Sequence, residues 1–432
     1  MNGLKLTPKK TYLISWAIHH AKIPSRIWIS IPSGTQITAQ IGDEVKAGEV
    51  IGKPQSSEDL YFHAPISGQV TTLGVFPHPI RGDVPAVEIR SDGKDILAPL
   101  VGSERSGWQQ LAGEDLLPLF QECGLVTLDK FAKPLHAKVA RRRCVEEDTL
   151  ILNACESEPY VTSVQSLIMS HPLEVLKGAE LLRKAYGAGK IMIAVEENKE
   201  ETIELLKSKI YFLKWTQVDI QPVRSFYPPD QEIVPGERNA MEHAATAFAV
   251  YEAIVKQKPL IERAVTVAGE CVPEAKNLWI RFGTVLEDAL KNCKGLLRDP
   301  RKVILGGPMR GLALPSLNFS TGPLMDAILA LPPEVAEETV IEPCIRCGRC
   351  IEVCPVDIAP VMITLAAEQD DFEAADFYGA QSCTECGNCA YVCPAKRPMV
   401  ELIQYAKGAD TQTPFEKSKW ISKEEFSLVP SI

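Results

Sequence analysis

The sequence predicts a multidomain chain of mixed α/β class. It has a β-rich N-terminal module, an α/β body with a small β-rich extension, and a mostly helical C-terminal segment organised by cysteine. Three observations carry this. The 432 residues exceed what a single hydrophobic core usually serves. Short glycine-punctuated strands come first and then give way to strands alternating with helices, the pattern of an open sheet covered by helices. Eight cysteines then cluster in two similar runs near the C-terminus.

The strands lie in the first of these segments, residues 1–104. IWISIPS, IGDEVKAGEVIG, HAPISGQVTTLG and PAVEIRSDG follow one another closely, with turns at Gly42-Asp43, Gly48, Gly68 and Asp92-Gly93. GDEVKAGEVIG followed by APISGQV resembles the barrel-sandwich fold of biotinyl and lipoyl domains. Those carriers present a lysine at a hairpin tip. Here Lys53 stands at the start of the intervening KPQSSEDLYFH, so a scaffold is expected instead of a swinging arm. His63 and His78 read as satisfied structural histidines.

Residues 105–260 alternate. DTLILNA is a buried-strand run. HPLEVLKGAELLRKAYG is helical, with Leu173, Val175, Leu176, Ala179 and Leu182 available for one face. Gly187 closes that helix and KIMIAVEE is the next strand. Two further amphipathic helices, EETIELLKSKI and ATAFAVYEAIVKQ, complete an open α/β layer. Residues 261–334 offer two strands, a helix and a further strand, a small β-grasp-like module. Residues 335–408 are helical around the cysteine loops, with Pro398 opening a helix expected to pack over the second run. Residues 409–432 form a polar tail with Trp420 and Phe426.

A net charge of −10 argues against nucleic acid as partner, and the short run Arg141, Arg142, Arg143 reads as a solvated face. Nothing is apolar enough over eighteen residues to span a bilayer. The thiol-rich composition without a leader segment points to a reducing, anaerobic cytoplasm, with membrane contact only through other subunits.

The first cysteine run, CIRCGRCIEVCP, puts Cys344, Cys347, Cys350 and Cys354 at C-x2-C-x2-C-x3-C-P spacing. The second, CTECGNCAYVCP, repeats it with Cys383, Cys386, Cys389 and Cys393. This is the bacterial ferredoxin spacing for two 4Fe-4S clusters, in which the fourth cysteine of each run ligates the other cluster. The expected sets are Cys344, Cys347, Cys350 with Cys393, and Cys383, Cys386, Cys389 with Cys354. Zinc ribbons use pairs of C-x2-C hooks, not triple hooks that end in Cys-Pro. A disulfide framework belongs to short secreted chains. Cys123, Cys144, Cys155, Cys271 and Cys293 have no ligand spacing and read as free thiols.

In this order, GDEVKAGEVIG, HAPISGQV, FPHPIRGDVPAVEIRSDG, LNACESEPYVTS, VEENK, KPLIERAVTVAGE, GGPMRG and the paired runs ending in CPAKRPMVELIQYAK resemble the C subunit of the Rnf electron-transport complex over nearly the whole chain. The middle region is also similar to the flavin-bearing subunit of respiratory complex I. That resemblance implies a domain holding FMN and taking hydride from NADH. A flavin is needed there because NADH gives two electrons and an iron–sulfur cube takes one.

The family's phosphate loop reads roughly Gly-Ile/Val-Val-Gly-x-Gly-Gly-Ala-x-Phe-Pro-Thr-x-x-Lys, and this chain reads GLVTLDKFAKPLHAK. Gly124, Pro134 and Lys138 keep register. Thr127, Asp129 and Lys130 replace the glycines, and Lys133 replaces the aromatic. Side chains fill the space where backbone amides meet a phosphate, and Asp129 is repulsive to it. A later flavin-contacting helix starts with His243-Ala244-Ala245-Thr246 instead of Asn-Val-Gly-Thr, and FYPPDQEIVPGERNAMEH before it looks shortened. Asn153, Glu156, Glu158 and Lys138 match positions that contact flavin or nicotinamide in relatives; a carboxylate and Pro159 at a strand end serve equally to cap the next turn.

The expectation is an electron-relay subunit of a redox complex, carrying two 4Fe-4S clusters on a body with a degenerate FMN/NADH site. Other subunits or a ferredoxin are its partners. Lys396 and Arg397 either tune the second cluster, dock an acidic partner, or are simply solvated. The rivals are an FMN-dependent NADH dehydrogenase subunit with a rebuilt site and a structural adaptor stapled by its clusters.

Overall fold

The computed structural model of the protein describes residues 3–10, 15–32, 34–79, 81–129, 131–142, 148–229, 233, 239–336 and 340–408. Lys130, Arg143, Cys144, most of the segment 230–238, Trp420 and Phe426 lie outside them. The chain divides into two compact units, Lys5–Glu338 and Thr339–Ile432, the latter joined by Met1–Leu4.

The larger unit begins with the barrel-sandwich. One sheet runs Arg26–Ser30, Gly82–Ser91, Gly68–His78, Glu44–Val45; the other runs Thr35–Ile37, Val50–Pro54, Phe62–His63. Period-two alternation turns Ile27 and Ile29 inward, where they meet Val45, Ile51, Ile66, Val70, Val87 and Ile89. Gly68–His78 and Gly82–Ser91 form one long hairpin, paired from Gly68 with Ser91 out to His78 with Gly82. Lys53 lies within a strand opposite Gln36, not at a tip.

The α/β layer is a four-stranded, all-parallel sheet in the order Val218–Val223, Lys190–Glu196, Thr149–Asn153, Ala240–His243. Covered on both faces, the central strand buries Leu150, Ile151 and Leu152 in succession. The helix Pro172–Tyr186 buries the expected Val175, Leu176, Ala179 and Leu182, together with Gly178, Leu181 and Tyr186. Leu173 remains only half-buried. This helix crosses Ala244–Val255, which is apolar on almost every side because it fills the centre of the core. Gly178 sits at the crossing. A Cβ there would collide with the carbonyl oxygen of Ala247, so glycine permits the approach.

The third layer is larger than expected. Its six strands run Ile18–His20, Lys276–Arg281, Glu262–Ala268, Ala327–Leu331, Lys302–Leu305, Leu312–Leu314. Ile18–His20 lies within the span 1–104 yet pairs parallel with Asn277–Trp279. Three residues reading Ile-His-His carry no periodicity that would betray a strand.

The smaller unit is an internal repeat. Each run consists of a cysteine loop, a short helix (Arg349–Glu352 or Asn388–Val392), a turn and a longer helix (Pro360–Glu368 or Met399–Gly408). Backbone conformations recur position for position. Arg346 and Glu385 have φ of 55° and 54°, Gly348 and Gly387 of 77° and 83°, Asp357 and Lys396 of 52° and 52°. Ile363, Ala367, Ala375, Leu402 and Ile403 form the core between the long helices. Among the described residues no helix is long and apolar enough to cross a membrane.

Candidate functional site: two cysteine runs and a cleft

The cysteine loops are shaped by their left-handed residues, Arg346 and Gly348 in the first run and Glu385 and Gly387 in the second, which bend the chain back on itself. In each run the amide two residues after the first cysteine points at that cysteine's sulfur: Arg346 N to Cys344 Sγ at 3.4 Å and Glu385 N to Cys383 Sγ at 3.3 Å. Cys354, from the end of the first run, lines one small cavity with Cys383, Cys386 and Cys389 of the second. Val400, on the helix opened by Pro398, closes that cavity. The same helix anchors the loop through Lys407, whose Nζ donates to Cys383 O and pairs with Glu385, both at 2.6 Å. Burial pushes the thiols of Cys383 and Cys389 up, and Cys389 also feels the neighbouring Cys386, Cys383 and Cys354. In the first run, Cys350 is raised by burial and by Cys344 and Cys347. Among the described residues no group of three His, Cys, Asp or Glu is gathered tightly enough for a single metal ion. A cube, whose irons sit at separate corners, asks for more widely spaced thiolates. Arg397 is buried and paired with Glu368, so it belongs to the unit's interior and not to a docking surface.

The second feature is a cleft of about 380 Å³ in the larger unit. All three layers line it. The tip of the long hairpin supplies His78 and Pro79, the parallel sheet supplies Asn153, Glu156, Glu158 and His243, and the third layer supplies Arg263, Gly307, Arg310 and Asp326. Lys138 is not in its walls. Its Nζ pairs with the buried Glu242 at 2.8 Å and donates to Met241 O at 2.9 Å, while Tyr186 Oη donates to the same Glu242 carboxylate. Burial raises the Glu242 carboxyl, and Lys138 opposes the shift.

The loop that would face a phosphate is satisfied from within. Asp129 Oδ1 accepts from Phe131 N at 2.8 Å, from Ala132 N at 3.3 Å and from Thr127 Oγ1 at 2.8 Å. Thr127 Oγ1 accepts from Lys133 N at 3.1 Å, and Thr246 Oγ1 accepts from Leu128 N at 2.9 Å. The loop therefore touches the start of the helix Ala244–Val255 through a threonine that the family pattern also has. Side-chain oxygens occupy the amides a glycine loop would leave for an anion.

The carboxylates are committed as well. Glu156 is buried; Oε1 accepts from Val164 N at 2.7 Å and Oε2 from Gln165 N at 3.1 Å, so it caps the helix Ser163–Ser170. The strand-end capping role open from the sequence is thus present. Burial raises this carboxyl, while Lys10 and Lys199 act against it. Glu158 accepts from Tyr227 Oη at 3.0 Å and from Met309 N at 3.0 Å, tying the parallel layer to the GGPMRG loop. A Cβ on Gly307 would strike the Glu158 carboxylate. Burial lifts Glu158 to about 7, with the Met309 amide and Arg310 pulling the other way. Asn153 Oδ1 accepts from Cys155 N at 3.0 Å. Cys123 and Cys293 are each pushed up to about 12 by burial, the behaviour of inert thiols.

The sequence does not mark His78, Tyr227, Arg263, Arg310 and Asp326 as cleft residues. FPHPIRGD and GGPMRG stand out as segments, but only the meeting of three layers makes them walls of one space.

Family profiles match along the chain: an RnfC barrel sandwich hybrid domain over residues 1–94, a Nuo51 FMN-binding domain over 120–235 and a 4Fe-4S dicluster domain over 338–394. The chain is 32% identical to the C subunit of the proton-translocating ferredoxin:NAD(+) oxidoreductase complex of Clostridium ljungdahlii, covering 94% of this chain and 92% of that one. The chain belongs to the RnfC family. A second member, the C subunit of the ion-translocating oxidoreductase complex of Rhodobacter capsulatus, is 33% identical over 85% of this chain and 73% of its own length. The C subunit of the Na(+)-translocating ferredoxin:NAD(+) oxidoreductase complex of Acetobacterium woodii is 30% identical over 89% of each. This RnfC-family chain is accordingly an electron-transfer subunit of a redox complex. It carries iron–sulfur clusters of the 4Fe-4S type, and other subunits are its partners.

Proposed function

We propose that the chain relays single electrons between a donor subunit or ferredoxin and a partner through two 4Fe-4S clusters, on a body that binds neither FMN nor NADH. Cys344, Cys347, Cys350 and Cys393 hold one cluster; Cys383, Cys386, Cys389 and Cys354 hold the other. The observation that carries this is the cavity shared by Cys354 with the second run, since a crossed ligand set is what two adjacent cubes require. When bound, such clusters supply one-electron transfer at potentials between about −700 and +450 mV. The protein's own part is to present thiolates, to aim the Arg346 and Glu385 amides at sulfur, and to keep water from the second site with Val400 and its helix.

The reading of the cleft rests on Asp129. Its carboxylate takes the amides that an FMN phosphate would need, and its charge opposes phosphate. Lys138 is tied to Glu242, and Glu156 is a helix cap. The residues do not fit the phosphate of a flavin. The domains so assigned are a scaffold over 1–104, the α/β layer over 105–260, a β-grasp-like layer over 261–334 and the cluster unit over 335–408, in a protein working in the cytoplasm.

The competing reading, an FMN-dependent NADH dehydrogenase subunit, draws on the persistence of the cleft and the FMN-domain profile. One experiment separates them. The anaerobically purified chain is expected to show a single broad visible shoulder that bleaches with dithionite and is unchanged by NADH. Two resolved flavin bands, bleached by NADH, would defeat the relay reading. Clusters not reducible at any accessible potential would instead favour a purely structural adaptor.

A further inference from the structure

The two cysteine runs are equivalent in backbone and unequal in surroundings. The potential of an iron–sulfur cube depends on its type, the hydrogen bonds to its sulfurs, the charge near it and its exposure to water. The first two do not separate the sites. Both runs have the same cysteine spacing, and each aims an amide at the sulfur of its first cysteine, from Arg346 and from Glu385. Exposure does separate them. Cys354, Cys386 and Cys389 are buried, and Val356, Ile358 and Val400 close the cavity that they line. At the first run Cys347 is exposed, while Cys344 and Cys350 are half-buried. Ile345 and Arg346 before Cys347 and Arg349 beyond it are exposed as well, so water reaches this loop. Reduction adds one negative charge to a cube, and water stabilises that charge better than an apolar wall does.

Charge separates the sites in the same direction. Aligned cysteine on cysteine, Arg346 of the first run corresponds to Glu385 of the second, and Arg349 to Asn388. Arg346 and Glu385 share one conformation, with φ of 55° and 54°, so their side chains leave equivalent points of the two loops. Asn388 is buried and donates through Nδ2 to Val353 O at 3.2 Å, next to the crossing Cys354. Lys396 follows the second run in sequence but stands by the first, because Glu342 N donates to Ala395 O at 2.9 Å. At the first site Arg346 and Arg349 are matched in number by Glu342 and Glu352, and Lys396 remains over. At the second, Lys407 is paired with Glu385 at 2.6 Å, and among the described residues no cation lines the cavity.

We propose that the first-run site has the higher reduction potential of the two, so that an electron on this chain rests there, and that the opposed side chains of Arg346 and Glu385 tune the difference. The inference rests on the relay reading and adds an internal order to it. One electron leaves the reduced second-run cube and enters the oxidised first-run cube; no bond breaks and no proton moves. The side chains of Arg346 and Glu385 are not ligands. They act through their charge at equivalent points of the two loops, and Lys407 moderates that of Glu385.

The test is a mediated potentiometric titration of the full-length, anaerobically reconstituted chain, followed by electron paramagnetic resonance. Two one-electron waves are expected. Arg346→Glu gives the first run the residue that the second already holds at the same φ. It should move the upper wave down by more than the lower, with the equilibrium constant for reduction falling at least about threefold at low salt. Glu385→Gln should move the lower wave up by more than the upper, and Arg346→Lys should leave both in place. Unchanged iron content in each variant serves as the control for intact sites. Should Arg346→Glu fail to assemble, Arg349→Asn, which installs the second run's own residue, is read in the same way. Coincident waves in the unaltered chain would overturn the inequality. An Arg346→Glu chain in which the lower wave moves more would reverse the order of the sites and overturn it too. Waves that stay in place in both charge variants would overturn the tuning by these side chains. Clusters that take up no electron at any accessible potential would defeat the relay reading itself, a separate result.

Discussion

The cleft and the cysteine unit solve opposite problems with polar groups. In the cleft, three carboxylates are already bonded, Asp129 on its own loop, Glu156 on a helix start and Glu158 on Tyr227 and Met309, while Lys138 outside its walls is held by Glu242. In the cysteine unit, sulfurs from both runs meet around one cavity, and burial disfavours their thiolates. The first region resembles a binding site converted to structure. The second gathers side chains whose spacing is that of cluster ligands. Shape alone does not separate the two; the accounting of hydrogen bonds does.

That contrast can be broken by substitution. The largest effect is expected in the cysteine unit. Cys389→Ala should lower iron below the content of the unaltered chain, because the cube assigned to it loses one of its four protein ligands. Iron analysis after anaerobic reconstitution reads this. Retention of the full complement would mean the assigned ligand is not one. In the cleft the losses should appear as stability, with the visible spectrum of the clusters unaltered. Glu156→Ala strands the amides of Val164 and Gln165 and removes a buried carboxylate whose charge Lys10 and Lys199 feel. A destabilisation of about 3 kcal/mol in urea unfolding is expected. Gly178→Ala should cost about 2 kcal/mol by forcing apart two helices that share the central core. Full stability in that variant would show that the helices can separate there without loss.

The smallest effect concerns pH. Glu158 is raised by burial to about 7, above its ordinary value of 4.5. Its folded form therefore holds a proton that the unfolded chain has released, so its contribution is complete below about 4.5 and is lost as pH rises through about 7. Stability should fall with rising pH across that window. Glu158→Gln should flatten this part of the stability profile while leaving iron content unchanged. A profile equally steep in both would assign the slope to other groups.

Much of the fold is legible in the chain because it rests on local patterns. Period-two runs such as RIWIS, the apolar spacing of Pro172–Tyr186 and the closing Gly187 announce their elements before any tertiary contact is considered. Ile18–His20 is hidden because an edge strand of three residues takes its hydrogen bonds, not its sequence pattern, from a distant partner. Leu312–Leu314 is as short and mostly exposed, and it escapes for the same reason. In the candidate site, Asp129 could be suspected by its replacement of a glycine. That its carboxylate would turn back onto Phe131 and Ala132 could not, since loop closure depends on Thr246 arriving from another helix.

The sequence by itself determined the cysteine chemistry. Spacing within a short loop fixes which sulfurs lie close, and the glycine and left-handed positions that bend each loop are encoded beside them. Tertiary structure alone decided which run is enclosed and which faces solvent, and it decided that Lys138 and Arg397 turn to buried carboxylates instead of outward. Burial and ion pairing join residues remote in the chain, and a buried charge takes whichever partner the packing brings within reach.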